Sequence, residues 1–159
     1  MIIIKSKHEV ELLKDAGKIV AETHEIIRDA IKEGISTYEL DQIAEKNITK
    51  YNAIPSFKGY GGFSGSICAS LNEVVVHGIP KKDIYLKDGD IVSIDVVPNL
   101  NGYFGDSAIT YPVGNIDEES QKLLDVTKKA REIAGKTLVV GNRLGDMGNA
   151  VQKYVESNG

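Results

Sequence analysis

The sequence predicts an α/β fold of the α+β kind, with helices at both ends of the chain and antiparallel strands between them. Two observations support this prediction. Apolar residues recur at helical spacing near both ends, and runs of β-forming residues occupy the middle. The chain has 159 residues, so the range 1–159 is predicted to form a single domain.

The composition is that of an ordinary globular protein, with 42% hydrophobic residues, 26% charged residues and a net charge of −4. Acidic and basic residues are interspersed without a Lys/Arg block, which argues against direct nucleic-acid binding. No apolar run has the length of a membrane span, and the opening apolar residues before Lys5 are too few for a secretory signal. Cys68 is the only cysteine, so a reducing cytoplasmic location is expected.

Helix starts are marked by local sequence signals. Residues 6–9 and 36–39 are capping boxes, in which a serine precedes a glutamate by three positions, and an apolar stripe follows each box. Acidic residues 117–119 predict the start of a third helix that runs to about residue 135. A fourth helix is expected near residues 146–157. His24 lies in the first predicted helix, and the sequence pattern assigns it no role.

The segment between the helices is expected to be irregular at first and then β-rich. Residues 52–66 are rich in glycine and aromatic residues, and we predict no regular element there. Residues 66–77 are predicted to form two short strands, the second of which contains Val74–Val76 and ends at His77. The strand is expected to break at the Gly-x-Pro sequence that follows.

Residues 91–97 and 103–109 are predicted to form the two strands of a β-hairpin, and each strand carries one carboxylate where an apolar residue is expected. If residues 99–102 form a four-residue turn, Asp95 lies directly opposite Asp106; if Asn101 and Gly102 alone form the turn, the two are diagonal neighbours. Both registers place the carboxylates on one face, within about 4.5–8 Å of each other. Two carboxylates so close together repel each other and lose part of their hydration on a largely apolar sheet. A bound cation would offset both the repulsion and the loss of hydration. The alternative is local hydrogen bonding, which is less favoured because aspartate is depleted in strand interiors.

Five further residues are candidates for a substrate site. A histidine after three valines is commonly a packed strand-end residue, but the position of His77 favours a proton donor or hydrogen-bond partner for a scissile amide. The remaining four contribute either to packing or to the wall of a small apolar pocket for a side chain such as methionine. They are Phe57, Tyr60, Phe63 and Cys68. The residues alone leave these two interpretations open.

Residues 67–80, 86–96 and 101–106, in this order, resemble type I methionine aminopeptidases, and the resemblance spans essentially the whole chain. It implies the pita-bread fold, an α/β architecture with an internal pseudo-twofold axis. This chain would contain the first half and the start of the second. The implied activity is removal of the initiator methionine from nascent proteins, so that a nascent peptide N-terminus is the substrate and the ribosome is a partner.

The resemblance also implies roles for individual residues. Asp95 and Asp106 match metal ligands of the family, which uses one or two divalent cations (Co²⁺, Mn²⁺, Fe²⁺ or Zn²⁺) in a complete site. His77 matches the residue that contacts the scissile amide, as a catalytic and substrate-binding residue. The family's methionine pocket is matched by Tyr60, Phe63 and Cys68, with Phe57 beside them. The implied reaction is metal-assisted hydrolysis.

The family's other metal ligands, one histidine and two glutamates, belong to a region that would follow Gly159. We therefore expect a truncated metallo-aminopeptidase with an incomplete metal site, inactive or nearly so. The alternative is a non-catalytic aminopeptidase-like module that binds peptide N-termini or a ribosomal partner. Half of a pseudo-symmetric fold would expose strands such as residues 74–76 and 91–97, together with part of the apolar helix stripes, which favours a twofold homodimer. No membrane attachment is expected.

Overall fold

The computed structural model describes residues 3–159, which form two compact units. One unit ends at Ile116, and the other is Asp117–Gly159. The second unit contains α3 (Glu118–Thr137) and α4 (Leu144–Glu156). The first contains α1 (Lys7–Ala30), α2 (Thr37–Lys50), β1 (Ile54–Pro55), β2 (Cys68–Leu71), β3 (Ile91–Val96), β4 (Pro98–Leu100), β5 (Tyr103–Phe104) and β6 (Ser107–Pro112). Helices and antiparallel strands together confirm the predicted fold class.

The predicted helix starts are confirmed by their caps. At the start of α1, the Ser6 side chain accepts a hydrogen bond from the Glu9 N–H, and the Glu9 carboxylate accepts one from the Ser6 N–H. Ser36 begins α2 in the same reciprocal way. Asp117 caps α3 by accepting from the Ser120 N–H at 2.6 Å. No helix among residues 3–159 is long and apolar enough to cross a membrane.

The strands form two antiparallel sheets, ordered β1-β4-β5 and β2-β3-β6. The turn that joins β4 and β5 is formed by Asn101 and Gly102, whose φ angles are 53° and 87°. Of the two predicted turns, the chain therefore adopts the two-residue one. The predicted strand over residues 91–97 is confirmed as β3, whereas the prediction of one strand over residues 103–109 was wrong, because these residues are divided between β5 and β6. After β3 the chain continues as β4, which pairs with β1 on one side and with β5 on the other. Gly105 packs against the backbone of α1, and the second half of the hairpin is interrupted there.

A second strand prediction was also wrong, because Val74–Val76 lie in an irregular segment. Val75 is 84% exposed, and the described residues 72–80 contain no strand. Valine favours strands only where a neighbouring strand satisfies the backbone. Here the backbone contact to β2 comes from Gly78, whose carbonyl accepts from the Ala69 N–H at 2.9 Å. The segment 52–66 conversely contains β1 and a short 3₁₀ turn, although no regular element was expected there.

The core of the first unit lies between the two helices and one face of the β2-β3-β6 sheet. Val92, Ile94 and Val96 of β3 are fully buried in it, together with Ile27 of α1 and Leu40 of α2. Full burial of a side chain of this size stabilises the fold by about 1.5–3 kcal/mol. The alternate residues of β3 point to the opposite face and are only half-buried. That opposite face carries the candidate site.

Candidate metal centre

Asp95 lies in β3, and Asp106 lies one residue before β6, at the position diagonal to Asp95 if the register of the two strands is continued. Asp95 pairs with Ala108 of β6, and Asp106 precedes Ala108 by two residues. In an antiparallel sheet this register places two Cα atoms roughly 7–8 Å apart, with their side chains on one face. Cys68 of β2 pairs with Asp95 from the other side. Asp95 therefore lies on the face of β3 opposite to the buried residues Val92, Ile94 and Val96.

Asp95 lies in an environment that does not suit an isolated carboxylate. Its Oδ1 atom is buried and finds no hydrogen-bond partner among residues 3–159. Burial raises the pKa of Asp95 and the charge of Asp106 raises it further, while positive charge on His77 and His24 acts in the opposite direction. A cation would neutralise both carboxylates and provide the missing partner, so the structure fits a bound cation at this position.

These aspartates form a pair and not a complete ligand set. Within the described part of the chain, no three His, Cys, Asp or Glu side chains are arranged to hold a metal ion. Two carboxylates can hold a divalent cation only together with water or further ligands. Asp95 and Asp106 could therefore supply two carboxylate ligands and balance the charge of a divalent cation, but they could not complete its coordination.

His77 lies in the exposed segment beside β2 and has a left-handed backbone, with φ of 58°. This conformation is uncommon for residues other than glycine, although histidine adopts it more readily than most. The following residue fixes it, because the Gly78 N–H donates to Ser70 Oγ at 3.0 Å. His77 is close enough to Asp95 for its charge to affect the pKa of that carboxyl.

The four predicted pocket residues differ in their environments. The rings of Phe57 and Phe63 lie 5.8 Å apart between centroids, at an angle of 49°. Tyr60 is 81% exposed, whereas Cys68 is buried. Burial raises the pKa of the Cys68 thiol to about 11, with a further contribution from the charge of Asp95. Cys68 is therefore a protonated packing residue, and it is the one of the four that the strand register places beside Asp95.

Sequence reasoning missed His24, which the structure connects to the same region. Its ring is buried, with Nδ1 3.0 Å from the Tyr111 hydroxyl and Nε2 3.0 Å from the Ser107 carbonyl oxygen. Burial lowers the pKa of His24. The available signal was its place on the buried stripe of α1, four residues after Val20. A cavity of about 580 Å³ between α1 and β6 is lined by His24 and Asp106, among others.

Paired carboxylates on one face of an antiparallel sheet define the chain as a candidate metal-dependent hydrolase. The model of Metallopeptidase family M24 matches residues 11–159, and the chain belongs to this family. Methionine aminopeptidase 1 of Bacillus subtilis (strain 168) is 55% identical over 157 residues, which cover 99% of this chain and 63% of the relative. Solved structures of methionine aminopeptidases from Thermotoga maritima and Rickettsia prowazekii match with TM-scores of 0.95 and identities of 42% and 41%. Each match covers 99% of this chain and 63% of the other.

These comparisons confirm the resemblance to methionine aminopeptidases and the pita-bread fold that it implied. Membership of the family also implies dependence on divalent metal ions. The chain spans about 63% of the length of the relatives that it matches.

Proposed function

We propose that this chain contributes part of the active site of a metal-dependent methionine aminopeptidase that removes the initiator methionine from nascent proteins in the cytoplasm. Because no three possible metal ligands are grouped among residues 3–159, these residues by themselves should be inactive or nearly so. Asp95 and Asp106 would hold one or two divalent cations, among Co²⁺, Mn²⁺, Fe²⁺ and Zn²⁺. When bound, a cation would polarise the scissile carbonyl and activate water for hydrolysis.

The observation that supports this proposal most directly is the buried, unpartnered oxygen of Asp95. A carboxylate that served only the fold would find a hydrogen-bond donor, because an unpaired buried polar group costs about 1–3 kcal/mol. Asp95 instead faces a second carboxylate, and burial raises its pKa. The same observation argues against a non-catalytic module that binds peptide N-termini or a ribosomal partner, because such a module has no need of this costly pair.

The other predicted residues would act on the peptide. His77, exposed next to the carboxylates, would donate a hydrogen bond to the scissile amide or assist the leaving amine. The methionine side chain of the nascent N-terminus would lie against the tilted pair Phe57 and Phe63, with Cys68 as the buried floor and Tyr60 at the entrance. In the cell this substrate emerges from the ribosome, which makes the ribosome the proposed partner. We also propose that residues 1–159 belong to one aminopeptidase domain.

The metal assignment predicts weak but specific binding in the isolated chain. Two carboxylates leave most coordination positions to water, so we expect a Kd for Mn²⁺ above about 0.1 mM, or about −5.5 kcal/mol. Calorimetric titration with Mn²⁺ or Co²⁺ measures this value. Asp95→Asn and Asp106→Asn should each abolish the binding.

The matched control is Asp15→Asn, since Asp15 is an exposed aspartate of α1 paired with Lys18. It should leave the titration unchanged. Submicromolar affinity in the 159-residue chain, or clear cleavage of a Met-Ala-Ser peptide, would contradict the proposed incomplete site. Equal binding by wild type and Asp95→Asn would contradict the assignment of the ligands.

We also propose that the chain forms a homodimer through exposed apolar surface. The expectation that the strand at residues 91–97 contributes to this surface was wrong for its apolar face, since Val92 and Ile94 are fully buried. The exposed apolar residues of the first unit include a run in residues 72–80, where Val75 and Val76 are 84% and 62% exposed, and we propose that this run contributes to the dimer surface.

Light scattering at micromolar concentration should therefore give about twice the chain mass of 17.3 kDa. The double substitution Val75→Lys and Val76→Lys should return the protein to a monomer without affecting the buried core, because both side chains face solvent. A wild-type monomer that persists at every concentration would show that this surface does not drive association.

A further inference from the structure

Asp106 lies between two residues that are both held against α1. On one side, Gly105 packs so closely that an added Cβ would lie 2.7 Å from the carbonyl oxygen of Ala16 and 2.7 Å from a methyl group of Val20. On the other side, the carbonyl oxygen of Ser107 lies 3.0 Å from Nε2 of His24. The direction of the Asp106 carboxylate is therefore set by contacts of its two neighbours with one helix.

Asp106 itself has little else to hold it. It is exposed and precedes the first residue of β6, so it gains no strand pairing of its own. A cavity of about 580 Å³ lies beside it, lined by Asp106, Ser107 and His24 among others. Of the two contacts with α1, the one made by Gly105 is van der Waals packing, and the one made by Ser107 is a hydrogen bond to His24. A hydrogen bond is directional, so it can orient the backbone next to Asp106.

The His24 ring is itself fixed in orientation. A carbonyl oxygen only accepts, so Nε2 must carry the proton that is donated to Ser107. In the neutral ring Nδ1 is then an acceptor. The Tyr111 hydroxyl carries a single proton, which it shares between the backbone carbonyl oxygen of His24, 3.1 Å away, and Nδ1, 3.0 Å away. His24 is 4% exposed and Tyr111 is 8% exposed, so water competes little for these bonds.

We propose that His24 is a positioning residue for the metal centre, which orients Asp106 by holding the Ser107 carbonyl. This inference rests on the proposed role of Asp95 and Asp106 as metal ligands. Groups that orient a metal ligand typically contribute about 10–100-fold to metal affinity when they are removed. His24 acts through the backbone next to the ligand and does not itself contact the ion.

Three substitutions separate the parts of this arrangement. His24→Leu keeps the apolar volume but removes both hydrogen bonds of the ring. In His24→Gln, the side-chain amide nitrogen can occupy the place of Nε2 and donate to Ser107. Tyr111→Phe leaves the bond to Ser107 and removes only the hydroxyl that orients the ring. Ile27→Val, a buried change in α1 that removes no hydrogen bond, is the control for a general loosening of the helix.

The first readout needs no metal. Backbone ¹⁵N relaxation of the metal-free protein should show Asp106 as ordered as Ala108 in the wild type. Order at Asp106 should fall in His24→Leu, be restored in His24→Gln and remain unchanged in Ile27→Val. Wild-type order at Asp106 in His24→Leu would overturn the proposal, whatever the protein binds.

The second readout is Mn²⁺ affinity, measured from paramagnetic broadening of the amide signals of Ser107 and Ala108. His24→Leu should weaken the Mn²⁺ affinity by about tenfold, whereas the affinity of His24→Gln should remain within about twofold of wild type. The affinity of Tyr111→Phe should lie between these two values. If Asp95→Asn abolishes the broadening but His24→Leu leaves the affinity unchanged, the positioning role is refuted and the metal site stands. If Asp95→Asn does not reduce the broadening, the metal assignment itself fails.

Discussion

Replacement of Gly78 by alanine is expected to destabilise the first unit by about 3 kcal/mol and to displace His77. A Cβ at this position would lie 2.3 Å from the carbonyl oxygen of Ala69 and 2.8 Å from Cα of Ser70. Both atoms belong to the backbone of β2, which is held by its pairing with β3 and cannot yield as a flexible side chain would. Overpacking of this kind costs about 1–3 kcal/mol and occasionally more.

The measurement is urea unfolding followed by circular dichroism, together with the NMR shifts of His77. Gly17→Ala is the matched control, because Gly17 lies in α1 with no described atom within 4 Å of an added Cβ. That change should stabilise the protein by about 0.5–1 kcal/mol, the usual gain from alanine in a helix. An unfolding free energy of Gly78→Ala within about 1 kcal/mol of wild type would contradict the close approach to β2.

Asp95→Asn is expected to stabilise the metal-free protein at neutral pH by about 1–3 kcal/mol, because the amide carries no charge to be buried and repelled by Asp106. Burial and the charge of Asp106 raise the folded-state pKa of Asp95 above its unfolded value. The folded protein therefore binds more protons than the unfolded chain between the two pKa values, and stability falls as the pH rises through that interval. The gain in unfolding free energy from Asp95→Asn should accordingly be smallest in acid. It should grow as the pH rises between the unfolded-state and folded-state pKa values of Asp95, and remain constant above the higher one.

Bound metal should act in the opposite direction, because it stabilises the wild type and not Asp95→Asn. A ligand that binds only the folded state stabilises it by RT ln(1 + [L]/Kd), so about 10 mM Mn²⁺ should raise the melting temperature of wild type but not of Asp95→Asn. Thermal unfolding of both proteins at several pH values, with and without Mn²⁺, tests the two effects together. A destabilised Asp95→Asn, or a difference that does not change with pH, would show that Asp95 serves the fold and not a cation.

Several features of this chain were determined by the sequence alone because they depend on neighbouring residues. Ser6 and Ser36 cap their helices through groups three positions away, so the helix starts were predictable. The turn at Asn101 and Gly102 follows from residues that tolerate positive φ angles. The family resemblance could also be identified from the sequence. The two aspartates in β-forming surroundings predicted a metal site, and this assignment stays a prediction.

The tertiary structure decided the features that depend on distant partners. Val74–Val76 have the composition of a strand but no neighbouring strand, so the segment is irregular and exposed. The hairpin divides near Gly105 because α1 approaches its backbone. His24 gains its place beside Asp106 through a hydrogen bond to Ser107, 83 positions along the chain. Such contacts depend on where the folded chain places each partner, whereas caps and turns are encoded within a few residues.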